Sequence, residues 1–116
     1  MSDKPLLWLG SSRNDARAFP ADARRVAGYQ LRRVQQGRDP SDWKPMATVG
    51  AGVREIRIHA GREHRVLYIA SFAEGVCVLH AFEKRTRKTQ KQDLELARRR
   101  LRALIATRRN EIATES

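Results

Sequence analysis

The chain has 116 residues and a mass of 13.3 kDa, which allows one compact domain and leaves no room for separate catalytic and regulatory halves. Lys and Arg number 24 against 13 Asp and Glu, a formal net charge of +11, while 41% of the residues are hydrophobic. So apolar and patterned a chain is not a disordered basic tail, and so basic a chain calls for a polyanionic partner: nucleic acid, a ribosomal surface or an acidic protein. Cys77 is the single cysteine, so an internal disulfide and a cysteine-pair zinc site are both excluded. The apolar run that opens at Leu6 is broken at Ser11, too short for a signal-peptide core or a membrane span. We therefore expect a cytoplasmic protein with no membrane partner.

Leu6–Leu9 follows a proline and stops at Gly10, which suits a buried strand. Ser12 is placed to cap a short helical turn over Arg13–Ala18. A stronger helix opens at Phe19-Pro20, where proline's missing N–H is no loss. Ala23, Ala27, Leu31 and Val34 make its apolar face, and Gly37 is placed to end it. Residues 38–52 carry two prolines and read as a connecting loop anchored by Trp43 and Met46.

Three strands are expected next, over Val53–Ile58, His64–Phe72 and Val76–Lys84, with short glycine-containing links that imply an antiparallel meander. Alternation places Val53, Glu55 and Arg57 on one face of the first, opposite Arg54, Ile56 and Ile58. In the second, Arg65, Leu67 and Ile69 alternate with His64, Val66 and Tyr68; neither set is polar, so both faces should be covered, as in the middle of a sheet. In the third, Val76, Val78, His80, Phe82 and Lys84 share a face, with Cys77, Leu79 and Ala81 behind. A last helix is expected over Thr89–Arg109, with Leu94, Ala97, Leu101, Leu104 and Ile105 as its stripe and a frayed tail at 110–116. Lys84 to Arg109 holds eleven basic and two acidic residues, so most of the net charge sits in the last quarter of the chain.

P-loop, dinucleotide-binding, HExxH and G-x-S-x-G motifs are missing from the sequence, and His59, His64 and His80 lack metal-site spacing; we expect neither metal nor cofactor. What remains is a basic constellation on the sheet: Glu55 and Arg57 on one strand, Arg65 on the next, His80 and Lys84 on the third, then Arg85-Thr86-Arg87-Lys88 with no acid. Cleaving RNA without metal needs a base for the 2′-OH, cations for the phosphorane charge and an acid for the 5′-oxygen. These residue types supply all three. They are equally ordinary on a half-solvated sheet, where His80 would be structural, Glu55–Arg57 a surface pair, and Tyr68 and Phe82 core.

Four segments, P-S-D-W-K-P-M (40–46), G-V-R-E-I-R-I (52–58), R-V-L-Y (65–68) and L-H-A-F-E-K-R-T-R-K-T (79–89), resemble in order and spacing the RelE/ParE superfamily of type II toxins, in its phage-derived HigB-like branch. The resemblance runs from Trp8 to about Leu104. It implies a single α+β toxin domain over 1–116, with a small antiparallel sheet in the order β-α-α-β-β-β-α and helices packed on one side. It implies a ribosome-dependent endoribonuclease, an mRNA interferase, neutralised by a cognate antitoxin of helix-turn-helix type. Its partners would then be the ribosome, mRNA and the antitoxin, with operator DNA reached only through the antitoxin.

Matched position by position, it points to Glu55, Arg57, Arg65, His80 and Lys84 as catalytic residues. Arg57 and Arg65 would clamp phosphate, Lys84 would act as acid or transition-state stabiliser, and Glu55 or His80 as base. Arg54, Phe82, Arg85, Arg87 and Lys88 would bind RNA. Arg85 stands where the family's second lysine is expected, and Gln90 follows Thr89 where that branch usually has proline. The alternatives are a ParE-like poison of DNA gyrase without nuclease activity, and a non-toxic basic nucleic-acid-binding protein.

Overall fold

The apolar runs read from the sequence pair as strands in a computed structural model, which describes residues 3–115, with side-chain surroundings as far as Glu111. The elements are β1 (Leu6–Trp8), α1 (Ser12–Arg17), α2 (Ala21–Gln35), β2 (Trp43–Pro45), β3 (Val53–Ala60), β4 (Arg62–Ile69), β5 (Val76–Glu83) and α3 (Lys91–Glu115). The strands form one sheet in the order β1-β5-β4-β3-β2. The meander β3-β4-β5 is antiparallel as expected, and β4 lies at its centre, buried on both faces. The fold class is α+β.

Three features differ from the reading of the sequence. First, β1 pairs with β5 in parallel, Leu6 opposite Val76, so the sheet is mixed rather than wholly antiparallel. Second, the 38–52 segment contributes a strand: β2 pairs with β3, Trp43 opposite Ile56 and Lys44 opposite Glu55. Three residues, the last of them Pro45, carry no periodicity by which to see it. Third, the helices lie on both faces. Ala23, Ala27, Leu31 and Val34 of α2 pack with Ile56, Ile58, Val66, Tyr68, Val76 and Val78. Ala97 and Leu101 of α3 pack on the opposite face, with Val53, Leu67, Ile69, Cys77 and Leu79. Strands apolar on both faces need a cover on each.

Helix ends follow their local chemistry. Gly37, at φ 81°, ends α2: its N–H bonds the Val34 carbonyl, and the Arg38 N–H reaches Arg33. That pair of bonds is the Schellman arrangement, open to glycine because it needs no Cβ. Ser12 does not cap α1. It lies inside the helix, buried, and its hydroxyl donates to the Val78 carbonyl at 3.1 Å, tying α1 to β5. Helix α3 runs through 110–115, where a frayed tail was expected; residue 116 lies outside the described residues. No helix among the described residues is long and apolar enough to cross a membrane.

Candidate active site

A register shift in β5 assembles the site. Tyr68 stands opposite Val78, but Leu67 stands opposite His80, so Leu79 is the extra residue of a β-bulge. The bulge reverses the alternation. Val76 and Val78 face α2, whereas His80 pairs with Leu67 and Phe82 packs in the cluster under α3. Simple alternation along the strand had kept His80, Phe82 and Lys84 with Val76 and Val78. The bulge instead moves them to the face that carries Glu55, Arg57 and Arg65.

That face reads as rows across the sheet. Lys44, Glu55, Leu67 and His80 are successive partners in one row; Arg57, Arg65 and Phe82 form the next. His59 and Glu63 pair in a third row, where the Lys84 N–H bonds the Glu63 carbonyl at 2.8 Å. Helix α3 covers the apolar half of this face, through Ala97 and Leu101. The two polar rows meet that cover at Leu67 and Phe82, and at His80 they reach Asp93 of α3 itself.

Glu55 is the anchor of the group. It is fully buried, and its Oε1 lies 3.5 Å from Arg57 Nε, 3.6 Å from Arg65 Nε and 3.9 Å from Lys44 Nζ. Its Oε2 has no hydrogen-bond partner among the described residues. Arg65 is buried too; it donates to the His64 carbonyl at 3.0 Å and lies 3.0 Å from Glu63 Oε1. Arg57 and Lys44 are part-exposed. One carboxylate thus holds three guanidinium or ammonium groups at a single patch, with a net positive balance.

Lys84 sits half-buried beside them. Burial, and then the Arg65 charge, push its ammonium below the usual lysine range, against the pull of Glu55. A lysine so placed gives up a proton more readily than a solvated one. The His80 ring stacks on Phe82 with centroids 4.9 Å apart, and its Nε2 lies 2.8 Å from Asp93 Oδ1 in the first turn of α3. Its Nδ1 is buried with no hydrogen-bond partner among the described residues. Donation from Nε2 to Asp93 leaves the lone pair on Nδ1.

The structure thus gathers Glu55, Arg57, Arg65, His80, Phe82 and Lys84 on one face. Arg54 is not among them. It faces α2's side of the sheet, covering the Trp43 ring at 4.0 Å and pairing with Asp39 at 2.8 Å. Arg85 is exposed and turned to Glu83, 3.0 Å away; Arg87 and Lys88 are exposed in the segment after β5. Lys44, Glu63 and Asp93 belong to the site and were missed. Lys44 lies on the strand that the sequence hides. Asp93 is an acid in a first helical turn, with nothing local to mark its partner.

A three-layered α+β arrangement, one five-stranded sheet with helices on both faces, is compatible with a RelE-like fold. The family model described as phage derived protein Gp49-like (DUF891) matches residues 14–102, and the chain belongs to that family, a RelE-like toxin family. No curated protein matches the chain.

Proposed function

We propose that this protein is the toxin of a type II toxin–antitoxin system, of the HigB-like branch, and that it cleaves translated mRNA on the ribosome. The observation that carries the reading is the cationic cluster around Glu55: Lys44, Arg57 and Arg65 within 3.9 Å of one buried oxygen, with Lys84 beside them. Such a cluster suits a phosphodiester whose charge grows in the transition state.

The chemistry follows from the placement. The 2′-OH loses its proton and its oxygen attacks the adjacent phosphorus. The phosphorane charge falls on Arg57 and Arg65. The bond to the 5′-oxygen breaks, and that oxygen takes a proton from Lys84, leaving a 2′,3′-cyclic phosphate and a 5′-OH. No metal is required by this scheme. Of the two candidate bases, Glu55 has no exposed surface with which to meet a hydroxyl and serves to hold the cations. We assign the base to His80, whose uncommitted Nδ1 is buried in the free protein and has to be uncovered as RNA binds. Arg87 and Lys88, exposed next to the site, hold the RNA backbone; Arg85 adds charge at the same rim. A cognate antitoxin, helix-turn-helix in type and reaching operator DNA on the toxin's behalf, would neutralise the site by covering this charge.

Brief induction followed by mapping of mRNA 5′ ends tests the reading. New ends within codons of translated messages only are expected. Arrested growth with intact mRNA and damaged or relaxed DNA would replace it with gyrase poisoning. Intact mRNA with normal growth would leave nucleic-acid binding alone.

A further inference from the structure

His59 has carboxylates at both ring nitrogens. Its Nε2 lies 2.6 Å from Asp42 Oδ2, ahead of β2; its Nδ1 lies 2.8 Å from Glu63 Oε1 and 2.7 Å from Oε2, on β4. A neutral imidazole has one N–H and one lone pair, and the lone pair would face a carboxylate oxygen. The arrangement therefore fits the imidazolium, which donates on both sides. Glu63 Oε1 is also the atom that lies 3.0 Å from Arg65 Nη2. One carboxylate oxygen is shared between His59 and the most buried cation of the site.

We propose that His59 is a positioning residue: a protonated clasp between Asp42 and Glu63 that draws Glu63's charge away from Arg65 and leaves more of Arg65's charge to bear on a substrate phosphate. The inference rests on the reading of Arg65 as a phosphate clamp. When His59 loses its proton, Glu63 has Arg65 as its remaining charged partner, and Arg65 is neutralised more fully. RNA affinity then falls as pH rises. The charged groups that bear on His59 are Asp42, Glu63, Arg65 through Glu63, and Arg57 two residues away on its own strand. The two carboxylates, Asp42 the stronger, hold the imidazolium above the usual histidine range.

The test uses the full chain, a short fluorescent single-stranded RNA and anisotropy between about pH 5.5 and 8.5. Wild-type affinity should fall about three- to tenfold more across this range than that of His59→Gln. His59→Lys, charged throughout, should keep its low-pH affinity at pH 8. In wild type, the NMR signal of Arg65 Nε–H should move with the His59 ring signals. An unmoved Arg65 signal, His59→Gln tracking wild type at every pH, or His59→Lys losing affinity as wild type does, each overturns the clasp. Should Arg65→Met bind RNA as wild type does, the phosphate-clamp reading falls, and the role proposed for His59 toward substrate falls with it. Movement of Arg65 with His59 would then remain as a measured coupling between the two residues, which separates that failure from the others.

Discussion

Replacing Glu55 with Gln should be among the most destabilising single changes on the sheet, although it alters one charge and almost no volume. Glu55 is 0% exposed, and its cations differ in what they lose. Arg57 and Lys44, with side chains 34% and 41% exposed, can turn to water. Arg65, at 6%, cannot. At 3.6 Å and an effective dielectric constant near 20, the Arg65–Glu55 attraction is on the order of 4–5 kcal/mol. Arg65 keeps Glu63 and the His64 carbonyl, and the amide keeps one acceptor, so the net loss should be about 3 kcal/mol, at the low end for breaking a buried pair. Urea unfolding should show a lower midpoint with an unchanged slope, and Tm should drop by roughly 10 °C. Arg57→Ala should cost under about 1 kcal/mol, because that cation is part-exposed. Adding Arg65→Met to Glu55→Gln should recover part of the loss by removing the stranded charge. A Glu55→Gln cost no larger than that of Arg57→Ala would refute the view that one buried carboxylate holds the cluster together.

Lys84→Ala should lower mRNA cleavage by at least about a hundredfold with the far-UV circular dichroism unchanged; cleavage at the wild-type rate removes Lys84 from the chemistry. Gly75→Ala should destabilise by about 1–3 kcal/mol, since φ is 152° and a Cβ there would stand 2.5 Å from the Pro5 carbonyl oxygen. Gly28→Ala, in the exposed middle of α2 with nothing within 4 Å of the new Cβ, should instead stabilise by up to about 1 kcal/mol in the same urea assay. Because the folded-state pKa of His59 is raised, its contribution to stability is complete below the unfolded value of about 6.5 and is lost as pH rises through the folded value. The urea midpoint of wild type should therefore fall toward that of His59→Gln as pH rises above about 6.5, and parallel curves would contradict it.

The parts of this fold that were legible in the sequence are those where one physical signal acts locally. The stripe Ala23, Ala27, Leu31, Val34 and the glycine that ends it specify α2, and the glycine-punctuated apolar runs specify the meander. The two-sided apolarity of β4 marked it as central, which it is. The second helical cover could have been inferred from the same fact, since a sheet with two apolar faces cannot leave one to water. What was illegible depends on partners distant in the chain. β2 exists because β3 offers it an edge, and the pairing of His80 with Asp93 depends on where α3 starts.

The bulge at Leu79 shows why residue lists can be read from a sequence more easily than sites. Alternation alone divides the cluster, putting His80, Phe82 and Lys84 with Val76 and Val78. One extra residue in β5, Leu79, reunites them with Glu55, Arg57 and Arg65, and it is buried and apolar like Leu67 on the facing strand, which gives no hint of irregularity. Charge counting misleads in a similar way. Most of the surplus lies beyond Glu83, yet the cations tightest around Glu55 come from β2, β3 and β4. The surplus along α3 and the segment before it raises the potential that draws in a polyanion. The few cations fixed by a buried carboxylate decide where its phosphate would come to rest. These two tasks predict different salt responses. Neutralising Arg87 and Lys88 together should flatten the salt dependence of RNA binding. Neutralising Arg57, which removes one contact rather than two, should flatten that slope by about half as much and should chiefly lower the rate of cleavage. Equal effects of the two changes on slope and on rate would mean that the protein has no such division between attraction and placement.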